Sequence, residues 1–241
     1  MTEMLVTVIT PCFNSEKTIR RTIESVLNQT YQNIEYLIID GASTDKTVEI
    51  AKSYEEAFGG RMKIFSEPDE GIYYAMNKGI GLAQGELIGI VNSDDYYEPT
   101  AVENMVEHRS ESDYQILYGF ERILQEGREV SICFFHHDNL KNKMITHPTC
   151  FVTKKLYEDK GKFNTSYRFS ADYEFMLRMQ ADKEVEFTPV YQLISNYALG
   201  GASGTGEAYI ETNKLLLSHG VISKKRYNFI VLKYNIGKLF R

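Results

Sequence analysis

Four short runs rich in valine and isoleucine recur every 25 to 30 residues along the first hundred positions: Leu5 to Ile9, Ile34 to Ile39, Met62 to Phe65 and Leu87 to Val91. The segments between them carry helical spacing: Ile19, Ile23, Val26 and Leu27, then Val48, Ile50, Ala51 and Tyr54, then Ile72, Met76, Ile80 and Ala83. Such a repeat has the length of a βαβ unit. It predicts an α/β chain built on a Rossmann-like, mainly parallel sheet with helices on both faces. Alternation at Val130, Ile132 and Phe134, and again through Val190, Gln192, Leu193 and Ile194, predicts less regular strands in the second half. No Pro- or Ser-rich linker divides the chain, so the expectation is one domain, residues 1–222, with a C-terminal extension, residues 223–241.

With 241 residues, 43% hydrophobic and 25% charged, the chain can bury a substantial core, which excludes disorder, collagen and coiled coil as its main character. Cys12, Cys133 and Cys150 are odd in number and widely spaced, as expected for reduced thiols in a cytoplasmic protein. The first strand has no basic flank or cleavage site before it, and no stretch reaches the roughly 18 to 20 apolar residues of a membrane span. The expectation is a protein neither exported nor integral to a membrane. The net charge of −6 is uneven: residues 223–241 hold six basic side chains and no acid, leaving −12 on residues 1–222. An acidic body argues against nucleic acid as a partner, and fits a metal-chelated anionic substrate or an anionic membrane surface better.

In an open parallel sheet, ligands bind where the carboxyl ends of the strands converge. Here those ends read Thr10-Pro-Cys-Phe-Asn14, Asp40-Gly-Ala-Ser-Thr-Asp45, Ser66-Glu-Pro-Asp-Glu-Gly71 and Asn92-Ser-Asp-Asp95. Helix capping accounts for some of these residues: Asn14 or Ser15, Ser43 to Asp45, and Asp69 are good N-caps for the helices that follow. It does not account for Asp94 and Asp95, since adjacent acids at the end of a buried strand repel unless a cation or donor compensates.

Pro11-Cys-Phe-Asn14, Ile38-Ile-Asp-Gly-Ala-Ser-Thr-Asp45, Asp69-Glu-Gly-Ile-Tyr-Tyr-Ala-Met-Asn-Lys-Gly79, Ala83-Gln-Gly85 and Asn92-Ser-Asp-Asp95 resemble the family 2 glycosyltransferases of the GT-A fold. The likeness covers roughly residues 4–100 and continues more weakly through Ala171-Asp-Tyr-Glu174. The Asp69 to Gly79 string also resembles bacterial enzymes that build surface polysaccharides. The resemblance implies a nucleotide-diphospho-sugar donor bound by residues 1–100 and a saccharide or lipid-linked acceptor bound by residues 101–222. It places Pro11, Phe13, Asn14, Asp40, Asn77 and Asp94 in the donor pocket, with Asp40 accepting from a uracil N3–H. Asp94 and Asp95 would hold Mg²⁺ or Mn²⁺, hard cations suited to carboxylate and phosphate oxygens. Asn92 stands where an aspartate often begins the acidic motif, and Tyr74 where Asp is common.

Inverting transfer needs one acceptor-side base, and the likeness at Ser170 to Arg178 implies Asp172, with a helix cap as its structural alternative. Glu174 is its neighbour on another face. His147 resembles an acceptor-lining position, although a lone histidine is more often structural. His136-His137 is read as a solvated turn, because adjacent strand residues face opposite sides. The run Gly200 to Gly206 lacks a P-loop lysine and reads as a flap. The chain has no tryptophan, so it lacks the Gln-x-x-Arg-Trp motif of processive relatives, which implies one sugar per binding event. The basic, apolar tail fits peripheral contact with the inner membrane face, packing on the body, or a homodimer. Two other readings stay open here: a sugar nucleotidyltransferase, and a non-catalytic nucleotide-sugar-binding subunit.

Overall fold

Strand β1 (Val6–Cys12) is buried along its whole length, and its alternating side chains feed two cores at once. A computed structural model describes residues 3–200 and 204–239, so positions 201–203 of the glycine-rich run and the last two residues of the tail lie outside the described residues. β1 pairs in parallel with β2 (Ile34–Asp40) on one side and β4 (Leu87–Ile90) on the other, and β3 (Met62–Ser66) extends the parallel sheet beyond β2. Val6 and Val8 point to one face, where they meet Tyr36, Ile38 and the Ile19, Ile23 and Val26 stripe of α1 (Ile19–Leu27). Ala51 of α2 (Thr47–Lys52) joins the same core. Ile9, Leu37 and Ile39 point the other way, against Met76 and Ile80 of α3 (Ile72–Leu82). α3 sits unusually close to the sheet, since a Cβ on Gly79 would fall 2.6 Å from Ile9 Cγ2.

The sheet continues as β3-β2-β1-β4-β8-β6-β9-β5, with β7 beside β6. β8 (Phe151–Thr153) is antiparallel to both β4 and β6 (Gln115–Gln125), which makes the second half mixed. β6 turns into β7 (Arg128–Cys133) through Glu126 and Gly127, both at positive φ, as a two-residue hairpin of the primed type requires. β9 (Glu186–Ala198) runs parallel to β6 and ends antiparallel to β5 (Tyr96–Tyr97), which returns the second half to the loop after β4. Helices α4 (Ala101–Glu107), α5 (Lys154–Lys160) and α6 (Ala171–Gln180) pack on these strands. α7 (Gly206–Ser218) and α8 (Lys224–Leu239) follow.

One local expectation is corrected. Neither Asn14 nor Ser15 caps α1: the helix starts at Ile19, and Thr18 at the cap position makes no side-chain cap bond. Residues 14–16 are instead engaged with the loop after β2, as described below. His136-His137 forms a turn, as expected: they open a 3-10 turn (His137–Asn139), which sets their rings 4.2 Å apart on one side.

Candidate active site

The loops after β1 and β2 are stitched together by reciprocal hydrogen bonds. Asn14 N–H donates to Ser43 Oγ at 2.8 Å, and Asn14 Oδ1 accepts from Thr44 N–H at 2.9 Å. Ser15 N–H donates to Thr47 Oγ1, and Asp45 takes both Glu16 N–H and Thr47 N–H, so Asp45 caps α2 while tying down the entry to α1. Asn14 and Ala42 hold positive φ in these turns. Asp40, at the end of β2, is only 1% exposed. Its Oδ2 accepts from Ser43 N–H (3.0 Å) and Ser66 Oγ (2.7 Å), and its Oδ1 accepts from Ser43 Oγ and, at 3.7 Å, from the Cys12 thiol. A carboxylate offers about four acceptor positions, so all are taken, one of them by a weak S–H donor. Burial, reinforced by the Asp40 charge, pushes the Cys12 thiol far above its usual range, so it stays protonated. Pro11 is buried within β1, whereas Phe13 is 61% exposed at the mouth.

After β4 the two adjacent acids diverge. Asp95 is 0% exposed; its Oδ1 accepts from Ala198 N–H at the end of β9 (3.0 Å) and its Oδ2 from Asn92 Nδ2 (3.2 Å). The carboxylate expected to hold a cation is thus aimed into the protein. Burial, with the charge of Asp94 second, raises its pKa to about 7. Asp94 is half-buried and accepts no side-chain hydrogen bond among the described residues; burial raises its pKa too. Arg21 of α1 fixes this loop, donating to the Asp94 carbonyl at 2.9 Å and stacking over Tyr96 at 4.3 Å. Asn92 Oδ1 is buried without any partner. An orphaned amide oxygen two residues before a carboxylate supplies oxygen donors of the type that a hard divalent cation or a ribose hydroxyl takes.

Asp172 lies in the first turn of α6, half-buried, and its Oδ1 accepts from Tyr73 Oη and Tyr173 N–H, both at 2.8 Å. Oδ2 takes no hydrogen bond among the described residues. Tyr73 belongs to α3, so the Asp69 to Gly79 string supplies the partner of the acid on α6. Buried His147 lies near Asp172, and burial lowers its pKa, keeping it neutral. Glu174 is not a rival base here, since it pairs with Arg178 at 3.1 Å. Asn77, expected in the donor pocket, is engaged elsewhere within the fold. Its Nδ2 donates to the Phe163 carbonyl and its Oδ1 accepts from Phe163 N–H, which clamps α3 to the segment before α6 and uses both polar atoms.

The Glycosyl transferase family 2 profile matches residues 7–186, three quarters of the chain, from β1 to the first residue of β9. The chain belongs to that family. Its curated relatives include a PGL/p-HBAD biosynthesis glycosyltransferase of Mycobacterium bovis, 26% identical over 208 residues that cover 85% of this chain and 81% of the relative. An Escherichia coli chondroitin synthase is 33% identical over 181 residues, 73% of this chain but only 26% of that much longer protein. Among solved structures, residues 1–349 of Staphylococcus aureus TarS in complex with UDP superpose with a TM-score of 0.69 at 20% identity, covering 96% of this chain and 70% of that one. That likeness carries the GT-A fold. This chain is therefore a glycosyltransferase.

In this transferase, sequence reasoning missed two groups. Tyr73 sits in the quoted string as an aromatic at helical spacing, indistinguishable from a core residue. Glu121 of β6 is 3% exposed, with Ser195 Oγ donating to it at 3.4 Å; burial, then the nearby Asp95 charge, pushes its pKa to about 8. Alternation could have flagged it as an acid facing inward on a strand.

Proposed function

We propose that this glycosyltransferase moves one sugar at a time, with inversion, from a uridine-diphospho-sugar to a hydroxyl of a saccharide or lipid-linked acceptor. The observation that carries the reading is the Tyr73–Asp172 bond, which links the donor-half string to an acid whose second oxygen is free. In the mechanism, Tyr73 fixes the carboxylate, and Asp172 Oδ2 takes the proton of the attacking hydroxyl as it reaches the anomeric carbon. Burial keeps the Tyr73 hydroxyl protonated, so it donates throughout. Asp94, with Asn92 Oδ1, would hold Mg²⁺ or Mn²⁺, whose charge stabilises the departing diphosphate. The exposed Phe13 offers a ring face for the base. A uracil N3–H would displace the weak Cys12 thiol from Asp40, leaving the stronger Ser43 and Ser66 bonds intact.

The test measures nucleoside diphosphate release from a panel of donors, together with donor affinity. Uridine diphosphate should inhibit better than guanosine or adenosine diphosphate; equal inhibition overturns the base assignment. Asp94→Ala should abolish metal-dependent donor binding. Asp172→Asn should bind donor normally while transfer falls about 10² to 10⁴-fold; unchanged turnover removes Asp172 as base.

The same reading puts the reaction at the inner face of a membrane, with α8 as the docking element. Phe229, Leu232 and Ile236 are exposed at i, i+3, i+7 spacing, with Lys225 and Lys233 on the same stripe, while Tyr234 packs against Gly206 at the start of α7. Among the described residues no helix is long and apolar enough to cross a membrane. Deleting residues 223–241 should remove binding to anionic vesicles and spare donor affinity. Vesicle binding that survives the deletion, or a dimer that dissociates on deletion, assigns the stripe otherwise.

A further inference from the structure

We infer that His136, His137 and Asp138 form a binding site for a zinc-class transition-metal ion, separate from the cation held with the donor phosphates. The three side chains present one ligand atom each, all within 4.8 Å of one another. His136 Nδ1 lies 3.2 Å from Asp138 Oδ2, and His137 Nε2 lies 3.6 Å from Asp138 Oδ1. Tetrahedral zinc with bonds of about 2.0 to 2.1 Å sets its ligand atoms about 3.4 Å apart; the two separations are close to this but end on different Asp138 oxygens, so the exposed carboxylate must turn for one oxygen to serve both histidines. Bringing the two ring nitrogens to the same spacing takes a side-chain movement of about 1.4 Å at most.

Two features distinguish this group from a chance pair of surface histidines. The 3-10 turn gives both rings the same side, which a strand could not do. His137 is also held from behind. Its Nδ1 is 2.7 Å from Tyr118 Oη, its ring stacks on Phe187 at 5.1 Å, and its carbonyl accepts from Gln180 Nε2. Tyr118 Oη also accepts the His137 backbone N–H, and with a second lone pair it can accept Nδ1–H as well. That tautomer leaves the Nε2 lone pair facing Asp138, the arrangement in which a ligating histidine gives its other N–H to an oxygen. Two imidazoles and one carboxylate suit zinc, cobalt, nickel or copper rather than magnesium. Asp138 is 77% exposed, so further positions are open to water. An ion there ties residues 136–138 to β6, β9 and α6, the scaffold of Asp172.

The experiment uses the full chain, treated with chelator and then titrated with Zn²⁺ against a chromophoric chelator, with thermal melting in parallel. One zinc per chain is expected, with a melting temperature that rises on adding Zn²⁺ but not Mg²⁺. Asp138→Asn alters an exposed carboxylate, and His136→Ala also removes the Nδ1 that accepts the Asp138 N–H at the start of the turn, while both leave the Tyr118 and Phe187 contacts of His137 in place. Each should weaken zinc about 10-fold or more and remove the melting shift, with an unchanged far-ultraviolet circular dichroism spectrum. No stoichiometric binding, or unchanged zinc affinity in either variant, overturns the site.

Discussion

Replacing Glu121 by Gln tests the electrostatics beneath the acidic loop. Burial and the Asp95 charge raise the Glu121 pKa from an ordinary 4.5 to about 8. Its folded-state pKa therefore lies above its unfolded value, so the folded chain binds this proton more tightly. The resulting stability is fully present below about pH 4.5 and is lost as pH rises through about 8. In that window the slope is about −1.4 kcal/mol per pH unit, with a ceiling of about 5 kcal/mol across the whole shift. Between about pH 5.5 and pH 8, that is about 3 kcal/mol. Glutamine keeps the size and the Ser195 contact but cannot ionise, so the variant should lose most of this dependence. Urea unfolding of the metal-free chain across this range reads it directly. What slope remains is shared by Asp95, whose pKa is raised to about 7, and by His137 and His147, whose lowered pKa values act with the opposite sign. Parallel curves for both proteins would refute the reasoning, since they would show that Glu121 is solvated or paired.

Asn77→Ala leaves the Phe163 N–H and carbonyl without their partner, and should cost about 2 to 4 kcal/mol in urea unfolding with donor affinity preserved; a donor KM that rises at unchanged stability would restore a donor contact. Tyr73→Phe removes one of two bonds to Asp172 Oδ1, so kcat should fall, by less than in Asp172→Asn, with donor affinity unchanged. An effect confined to KM would contradict its positioning role. Gly79→Ala puts a methyl 2.6 Å from Ile9 Cγ2 and should cost about 1 to 3 kcal/mol by overpacking, checked by thermal melting.

The parallel half of the fold was readable because each βαβ unit is local. The four apolar runs correspond to β1–β4 with ends shifted by at most three residues, and the helical stripes to α1–α3. What lies at the strand ends was harder to read, because polar residues there can bond within the loop or face the cleft with the same sequence. Asp94 and Asp95 are adjacent and chemically identical, yet only the position of β9 decides which is free. Asn77 looks like a binding residue until Phe163 arrives from 86 positions away. The turn at His136-His137 was legible, but the ring-to-ring approach within it depends on Tyr118 and Phe187, which arrive from β6 and β9.

Two bonds of very long range hold the candidate site together, Tyr73 to Asp172 across 99 residues and Ala198 to Asp95 across 103. Neither leaves a periodic trace, since each needs only one residue at either end. They reach the site by separate routes: α3 carries the first to α6, while β9 carries the second from the far side of the mixed sheet to the acidic loop. The two therefore fail separately under mutation. Loss of the Asp95 bond frees the end of β9 and disturbs the loop that presents Asp94, which acts on donor binding. Loss of the Tyr73 bond frees only the carboxylate that takes the acceptor proton, which acts on turnover. With the acidic loop and the acid on α6 pinned independently, the proposed donor and acceptor roles can be tested one at a time, the first through the Asp95 bond and the second through the Tyr73 bond.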